Sequence, residues 1–329
     1  MKISIGKKTD VGCVREANED SYYIELPQEA EVSSENYALL LVADGMGGQV
    51  AGKEASETAV DIVKARFSDK SKAEMSAKEI REFITASLHE ANQAVFERGK
   101  AKDVEMGTTL TAAFIDGQQA YVGYVGDSRA YHLRGREIRQ VTEDHTLAED
   151  MIKKGKATRE ETSNSPMRSM LTRSIGTREE VAIDQPIGIE LEDGDVLLLC
   201  TDGLTNLVGE EEILSTVHNT LNVQKACAKL VDMARKRGGH DNITVVAAEF
   251  GELKRIKGLG MRAKTVSVQS ANLAKERKKR KVFIAFISLL VAIFIFLVYI
   301  FVSHYAERYS PFKRPTIEEK TDVEDASSE

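Results

Sequence analysis

The sequence predicts one domain of mixed helices and strands over residues 1–250, followed by a membrane-spanning helix. Three observations predict it. First, short apolar runs end beside an aspartate and a glycine: 39–43 before Asp44-Gly45, 122–125 before Gly126-Asp127, and 197–199 leading through Cys200-Thr201 into Asp202-Gly203. A fourth acid, in Gly239-His240-Asp241-Asn242, stands just ahead of the apolar run 243–248. Runs of this length bounded by glycine read as buried strands. Second, segments with helical periodicity lie between them. Third, residues 282–302 carry no charge, and as a helix they would span about 31 Å, against a hydrocarbon core of about 30 Å.

In chain order, strands are expected at 3–9, 20–25, 37–43, 108–115, 119–125, 129–133, 196–199 and 242–250. Helices are expected at about 53–67, 77–98, 145–154, 210–218 and 223–236. The short turns Asp116-Gly117 and Gly126-Asp127 favour an antiparallel meander from 108 to 133. The polar, weakly periodic stretch 155–174 reads as a surface excursion. No internal repeat of domain size is present.

Charge divides the chain further. Residues 1–250 carry 30 Lys and Arg against 43 Asp and Glu, whereas 251–281 carry 11 against 2. An acidic main domain argues against nucleic acid as a partner, because phosphate backbones select basic faces. The basic block 251–281 reads as a juxtamembrane linker. Six of the seven residues 275–281 are basic, and Tyr299 and Tyr305 lie near the far end of the apolar stretch. Those flanks suit a membrane span better than a buried core helix. Positive charge stays in the cytoplasm, so 1–281 should face inward and the acidic tail 303–329 should cross, placing a single-pass protein in the cell membrane. The amino-terminal residues contain no apolar stretch long enough for a signal peptide.

Cys13, Cys200 and Cys227 show no CxxC spacing, so neither a zinc site nor a disulfide framework is implied. None has an arginine six residues later, where Glu19, Asn206 and Met233 stand. That closes the cysteine-nucleophile route to phosphate esters.

Carboxylates gathered at strand ends repel one another and are costly to desolvate unless a cation lies between them. Oxygen ligands alone fit magnesium or manganese rather than zinc. Two such ions about 4 Å apart can activate water and polarise a phosphoryl group. Gly45 lets its carbonyl turn toward an ion. Arg15, four and five residues before Glu19 and Asp20, can grip a phosphate.

A rival reading comes from 47–53, whose GxxxxGK spacing resembles a phosphate-cradling loop. Glu54 stands where that loop needs a Ser or Thr hydroxyl, and its charge would repel the phosphates. A GxGxxA match at 258–263 lies in the basic linker with no strand before it.

Arg15-x-x-Asn18-Glu19-Asp20-Ser21, Val42-Ala43-Asp44-Gly45-Met46-Gly47-Gly48, Met106-Gly107-Thr108-Thr109, Gly126-Asp127-Ser128-Arg129, Asp144-His145, Leu171-Thr172-Arg173-Ser174-Ile175-Gly176, Thr201-Asp202-Gly203-Leu204 and Asp241-Asn242-Ile243-Thr244 occur in this order. The set resembles the metal-dependent serine/threonine protein phosphatases, the PPM family or protein phosphatase 2C, over about residues 3–250. The resemblance implies an α+β fold, a four-layer α-β-β-α sandwich of two antiparallel sheets meeting at the metal site. It implies that Asp44 bridges two Mn2+ or Mg2+ ions, that the Gly45 carbonyl binds the first, and that Asp202 and Asp241 complete the second. Asp127 would hold a third, weaker ion, also near Asp202. Arg15 would bind the substrate phosphate, and Glu19 and Asp20 would orient metal-bound waters.

The chain departs from the family at Met46 and Gln49, where members carry a histidine able to protonate the leaving oxygen. His145 and His240 remain, with structural or solvated roles favoured, so protonation by a metal-bound water is expected. The implied activity is hydrolysis of phosphoserine and phosphothreonine on proteins, opposing a bacterial serine/threonine kinase. Alternatives are a phosphatase of one anti-anti-sigma-type partner, or a phosphoprotein-binding pseudophosphatase. Intact acids at 44, 202 and 241 argue against the last.

Overall fold

The computed structural model describes residues 1–27, 31, 37–48, 50–70, 75–162, 165–253 and 264–267. The fold occupies the compact unit Met1–Ser270. Among the described residues no helix is long and apolar enough to cross a membrane. The expected span at 282–302 and tail at 303–329 lie outside the described residues.

Two sheets form the centre. In chain order the elements are β1 (Ile3–Asp10), β2 (Ser21–Glu25), β3 (Ala38–Ala43), β4 (Gly45–Met46), α1 (Ala51–Lys70), α2 (Ala77–Lys102), β5 (Gly107–Thr108), β6 (Leu110–Asp116), β7 (Gln119–Val125), β8 (Arg129–Arg134), β9 (Glu137–Gln140), α3 (Leu147–Lys153), α4 (Arg159–Thr162), β10 (Ile187–Glu190), β11 (Val196–Cys200), α5 (Asp202–Thr205), α6 (Glu210–His218), α7 (Val223–Lys236), β12 (Ile243–Phe250) and β13 (Lys264–Ser267). One sheet runs β1-β12-β11-β8-β9-β13 and the other β10-β7-β6-β3-β2, with β4 and β5 as a separate pair. Both are antiparallel except where β13 adds parallel to β9. That strand lies in the stretch expected to be a linker, and its short polar sequence offered no strand signal.

The central strands are apolar throughout because both of their faces are covered. In β3, Leu39, Leu41 and Ala43 pack under α1 and α2, while Ala38, Leu40 and Val42 face the opposite sheet. β11 and β12 divide in the same way. Val196, Leu198, Val245 and Ala247 pack toward α6 and α7, while Leu197, Leu199, Val246 and Ala248 meet the sheet that holds β3. The strand period of two thus sorts one sequence into two cores. In α7 the buried residues Val223, Ala226, Cys227, Leu230, Val231 and Ala234 recur at helical spacing and cover the β1–β12 side. Ser76 and Glu79 close a capping box at the start of α2, an arrangement worth about 1 kcal/mol.

Helices 210–218 and 223–236 fall at the expected boundaries. The expected meander does not. β6 and β7 form a hairpin with Asp116 opposite Gln119, but after β7 the chain leaves that sheet and β8 pairs with β11 in the other. Gly126, at φ 109°, makes the turn, and Ser128 is caught by Thr109 Oγ1 at 2.7 Å and Thr111 Oγ1 at 2.9 Å. Short turns alone do not reveal a sheet switch, and this one carries Asp127 to the seam between the sheets. The expected strand 108–115 is likewise broken at Thr109, whose N–H bonds the Asp44 carbonyl at 2.9 Å.

Candidate active site

All the sequence-predicted acids converge at one end of the sandwich. Asp44 follows β3, Asp202 follows β11, Asp241 precedes β12, Asp127 lies at the β7–β8 crossing, and Glu19 and Asp20 end the β1–β2 loop. Asp44 is at the centre. Burial and then repulsion from Asp20, Asp202, Asp127 and Asp241 hold its carboxyl well above the usual carboxylate range. Burial, followed by Asp202 and Asp144, pushes Asp127 up to about 8. Burial raises Asp20 to about 7, with the hydroxyls of Thr244 and Thr201 opposing and Asp202 and Asp241 adding to the rise. Asp202 is raised by burial and then by Asp241, while the hydrogen bond from Asn206 opposes the shift.

The main chain of Asp44 is gripped from both sides. Its N–H donates to Thr109 Oγ1 at 2.9 Å, and its carbonyl accepts from Thr108 Oγ1 at 2.9 Å. Gly45 has no room for a side chain: a Cβ would stand 2.1 Å from the Gly52 carbonyl oxygen and 2.8 Å from that of Glu19. Asn242 fastens the β1–β2 loop. Its Oδ1 accepts from Glu19 N at 2.8 Å, and its Nδ2 donates to the Val11 and Ala17 carbonyls at 3.0 and 2.9 Å. Arg15 sits at the exposed rim, where Nη2 donates to Asp241 Oδ2 at 2.8 Å.

These residues fit a divalent cation. Asp20 Oδ1 and Asp202 Oδ1 are buried without a hydrogen-bond partner, an arrangement that a positive charge would relieve. The donor set is hard oxygen. Among the described residues no three acidic, histidine or cysteine side chains stand close enough to hold a metal ion by themselves.

The rival motif dissolves in three dimensions. Lys53 donates to the Asp20 carbonyl at 2.9 Å and to Ser21 Oγ at 3.2 Å. Glu54 is held by Arg98 and Lys102. His145 is 3% exposed and stacked on Tyr124, with Nδ1 accepting from Gly126 N at 3.1 Å and Nε2 3.2 Å from Asp184 Oδ2. It braces the turn that carries Asp127, whereas His240 is exposed. The excursion 155–174 is tied at its base by the Thr146–Leu171 bridge. A cavity of about 150 Å³ lies between it and the acids, lined by Asp127, Asp202, Arg129, Glu149, Arg159 and Arg168.

Sequence reasoning missed the residues that hold the acids. Arg129, which clamps Asp144 through Nε at 2.8 Å and Nη2 at 2.6 Å, is one. The threonines around Asp20 and the Asn206 that donates to Asp202 Oδ2 at 2.9 Å are others. All but Asn206 lie inside the quoted motifs, yet nothing in the sequence gave them a role there.

The chain belongs to the protein phosphatase 2C family, whose model matches residues 16–235, and is a serine/threonine protein phosphatase, a hydrolase with an acid cluster at the seam of its two facing sheets. The serine/threonine phosphatase stp of Listeria welshimeri is 34% identical over 244 residues, covering 74% of this chain and 94% of the relative. Protein phosphatase PhpP of Streptococcus pneumoniae is 36% identical over 255 residues, covering 77% and 98%. The crystal structure of the catalytic domain of the phosphatase PstP with two manganese ions matches with a TM-score of 0.63 at 31% identity, covering 76% of this chain and 99% of that one.

Proposed function

We propose that this chain hydrolyses phosphoserine and phosphothreonine on proteins with two Mn2+ or Mg2+ ions, opposing a bacterial serine/threonine kinase. The observation that carries the reading is the convergence on Asp44 of buried, mutually repelling acids with orphaned oxygens at Asp20 and Asp202. Bound cations would activate water and polarise the phosphoryl group. Asp44 would be shared between them, with the Gly45 carbonyl on one side and Asp202 and Asp241 on the other. Asp127 would serve a third, weaker ion. Glu19 and Asp20 would orient water in the cleft, and Arg15 would draw in the phosphate. With Met46 and Gln49 in place of histidine, and His145 committed to Gly126 and Asp184, the leaving oxygen takes its proton from water. The excursion 155–174 would select among phosphoproteins.

Arg15→Ala separates phosphate binding from metal binding. A charge-assisted contact to phosphate is worth about 1.5–3 kcal/mol, so kcat/KM on a phosphothreonine peptide with Mn2+ should fall about ten- to hundredfold. The Arg15–Asp241 pair is half exposed, at 52% and 32%, and pairs of that kind contribute at most about 1 kcal/mol. Mn2+ affinity by calorimetry should therefore move less than about fivefold. A collapse of metal affinity with peptide binding intact would reverse the assignment.

The second part of the proposal concerns the membrane. Residues 282–302 would span it, with 1–281 cytoplasmic and 303–329 outside, as the basic residues of 275–281 require. The same block would hold the linker to anionic headgroups. A tag at Glu329 should be cleaved by protease added to spheroplasts while the catalytic domain stays protected. Digestion of the domain with the tag intact would overturn this topology.

A further inference from the structure

Asp20 is 4% exposed, and its two carboxylate oxygens have unlike surroundings. Oδ2 accepts from Thr201 Oγ1 at 3.0 Å and from Thr244 Oγ1 at 2.7 Å. Oδ1 is buried with no hydrogen-bond partner.

Each threonine hydroxyl has one proton to give, and counting them gives the network a direction. Thr201 Oγ1 accepts from Thr244 N at 3.0 Å and spends its proton on Asp20. Thr201 stands at the N-cap of α5, yet its hydroxyl makes no capping bond; it is diverted to the acid. Thr244 also spends its proton on Asp20, so in its 2.8 Å contact with Thr9 Oγ1 the donor is Thr9. Thr9 in turn accepts from Asn18 Nδ2 at 2.8 Å, and Asn18 Oδ1 accepts from Asp20 N at 3.1 Å. Thr9 and Thr244 are paired residues of β1 and β12, and Thr201 N bonds the Thr244 carbonyl at the end of β11. Three neighbouring strands thus supply one hydroxyl each.

We propose that Thr9, Thr201 and Thr244, with Asn18, are positioning residues that hold Asp20 by one oxygen and reserve Oδ1 as the acceptor for water in the cation cleft. The donor chain Asn18 to Thr9 to Thr244 to Asp20 runs one way, so it presents Asp20 as an acceptor and fixes its rotation. Packing alone would need neither two hydroxyls on one oxygen nor a partnerless one beside it. The proposal rests on the two-cation reading above.

The test is Mn2+ titration of the full-length chain by calorimetry, alongside peptide kinetics. Thr244→Val keeps the shape and β-branching but removes the donor, and Thr244→Ser keeps the donor. Thr244→Val should weaken Mn2+ binding about tenfold and lower kcat by a similar factor, with the KM for peptide within about twofold. Thr244→Ser should restore both. Thr9→Val, one step back at a half-buried position, should weaken Mn2+ binding about threefold and guards against a folding defect at Thr244. Unchanged Mn2+ affinity in Thr244→Val and Thr9→Val overturns the proposal, as does a Thr244→Ser variant as impaired as Thr244→Val. A parent chain that binds no Mn2+, or an Asp44→Asn variant that binds it as tightly as the parent, overturns the two-cation reading itself and the relay with it.

Discussion

Asp44→Asn is expected to lower Mn2+-dependent turnover of a phosphothreonine peptide by at least about a thousandfold, roughly 4 kcal/mol of transition-state stabilisation. Asp44 feels repulsion from Asp20, Asp202, Asp127 and Asp241 together, so it occupies the point from which a cation would reach the most carboxylate charge. Asparagine is nearly isosteric and leaves the backbone contacts to Thr108 and Thr109 intact. The change therefore removes a charge with little loss of structure. Calorimetry should show Mn2+ binding weakened in parallel, while the chelated variant melts no lower than the chelated parent at pH 8, because one repelling acid is gone. Undiminished peptide cleavage by this variant would sink the two-metal mechanism.

Without divalent cation the protein is expected to lose stability as pH rises, by about 5–10 °C in melting temperature between pH 5.5 and 8.5. Asp20 and Asp127 are raised from 3.8 to about 7 and about 8, and Asp44 and Asp202 are raised as well. Between about pH 4 and 8 the folded chain holds protons that the unfolded chain has released. Stability then falls with pH through that range. Asp184, lowered to about 2 by the His145 hydrogen bond ahead of its Arg173 contacts, acts oppositely. So does Asp195, lowered to about 2 as hydrogen bonds from His132 and Arg134 outweigh its burial. Their stabilisation is complete above about pH 4 and is lost as pH falls through about 2. Even a few kcal/mol at about 2–4 °C each gives the stated shift. Excess Mn2+ favours the ionised acids, so its stabilisation should be larger at pH 8.5 than at pH 5.5. Melting curves in chelator and in Mn2+ at three pH values decide this. A chelated melting temperature that is flat or rising from pH 5.5 to 8.5 would show that the acids do not repel one another as placed.

Much of the site was legible because its acids occupy constrained places. An apolar run fully buried on both faces must end where the chain can turn; Asp44 and Asp202 stand at such ends beside Gly45 and Gly203, and Asp241 stands two residues after Gly239. Helices α6 and α7 were legible for a related reason, since their apolar spacing matches the face they bury. The β7–β8 crossing was not. Gly126-Asp127 has the sequence of a hairpin turn, and only the contacts of Ser128 with Thr109 and Thr111 send the next strand to the other sheet. Short strands such as Glu137–Gln140 and Ile187–Glu190 were also missed, because four residues with one buried side chain each carry too little pattern to read.

The sequence by itself singled out the residues to which the proposal gives the chemistry: the acids at strand ends, Arg15 ahead of them, and Gly45 beside Asp44. It could do so because charge, strand period and glycine position are local properties that survive without coordinates. Only the tertiary structure decided how those acids are held. Thr9, Thr201, Thr244 and Asn242 are uncharged and common, and although three of them lie in the quoted motifs, nothing along the chain shows that they hold Asp20 and Glu19. Their role comes from hydrogen bonds that close across 181 to 235 residues of sequence: Asp20 with Thr201 and Thr244, Thr9 with Thr244, and Glu19 with Asn242. A hydroxyl's one proton can be assigned only when every neighbour within reach is known, and packing alone sets those neighbours.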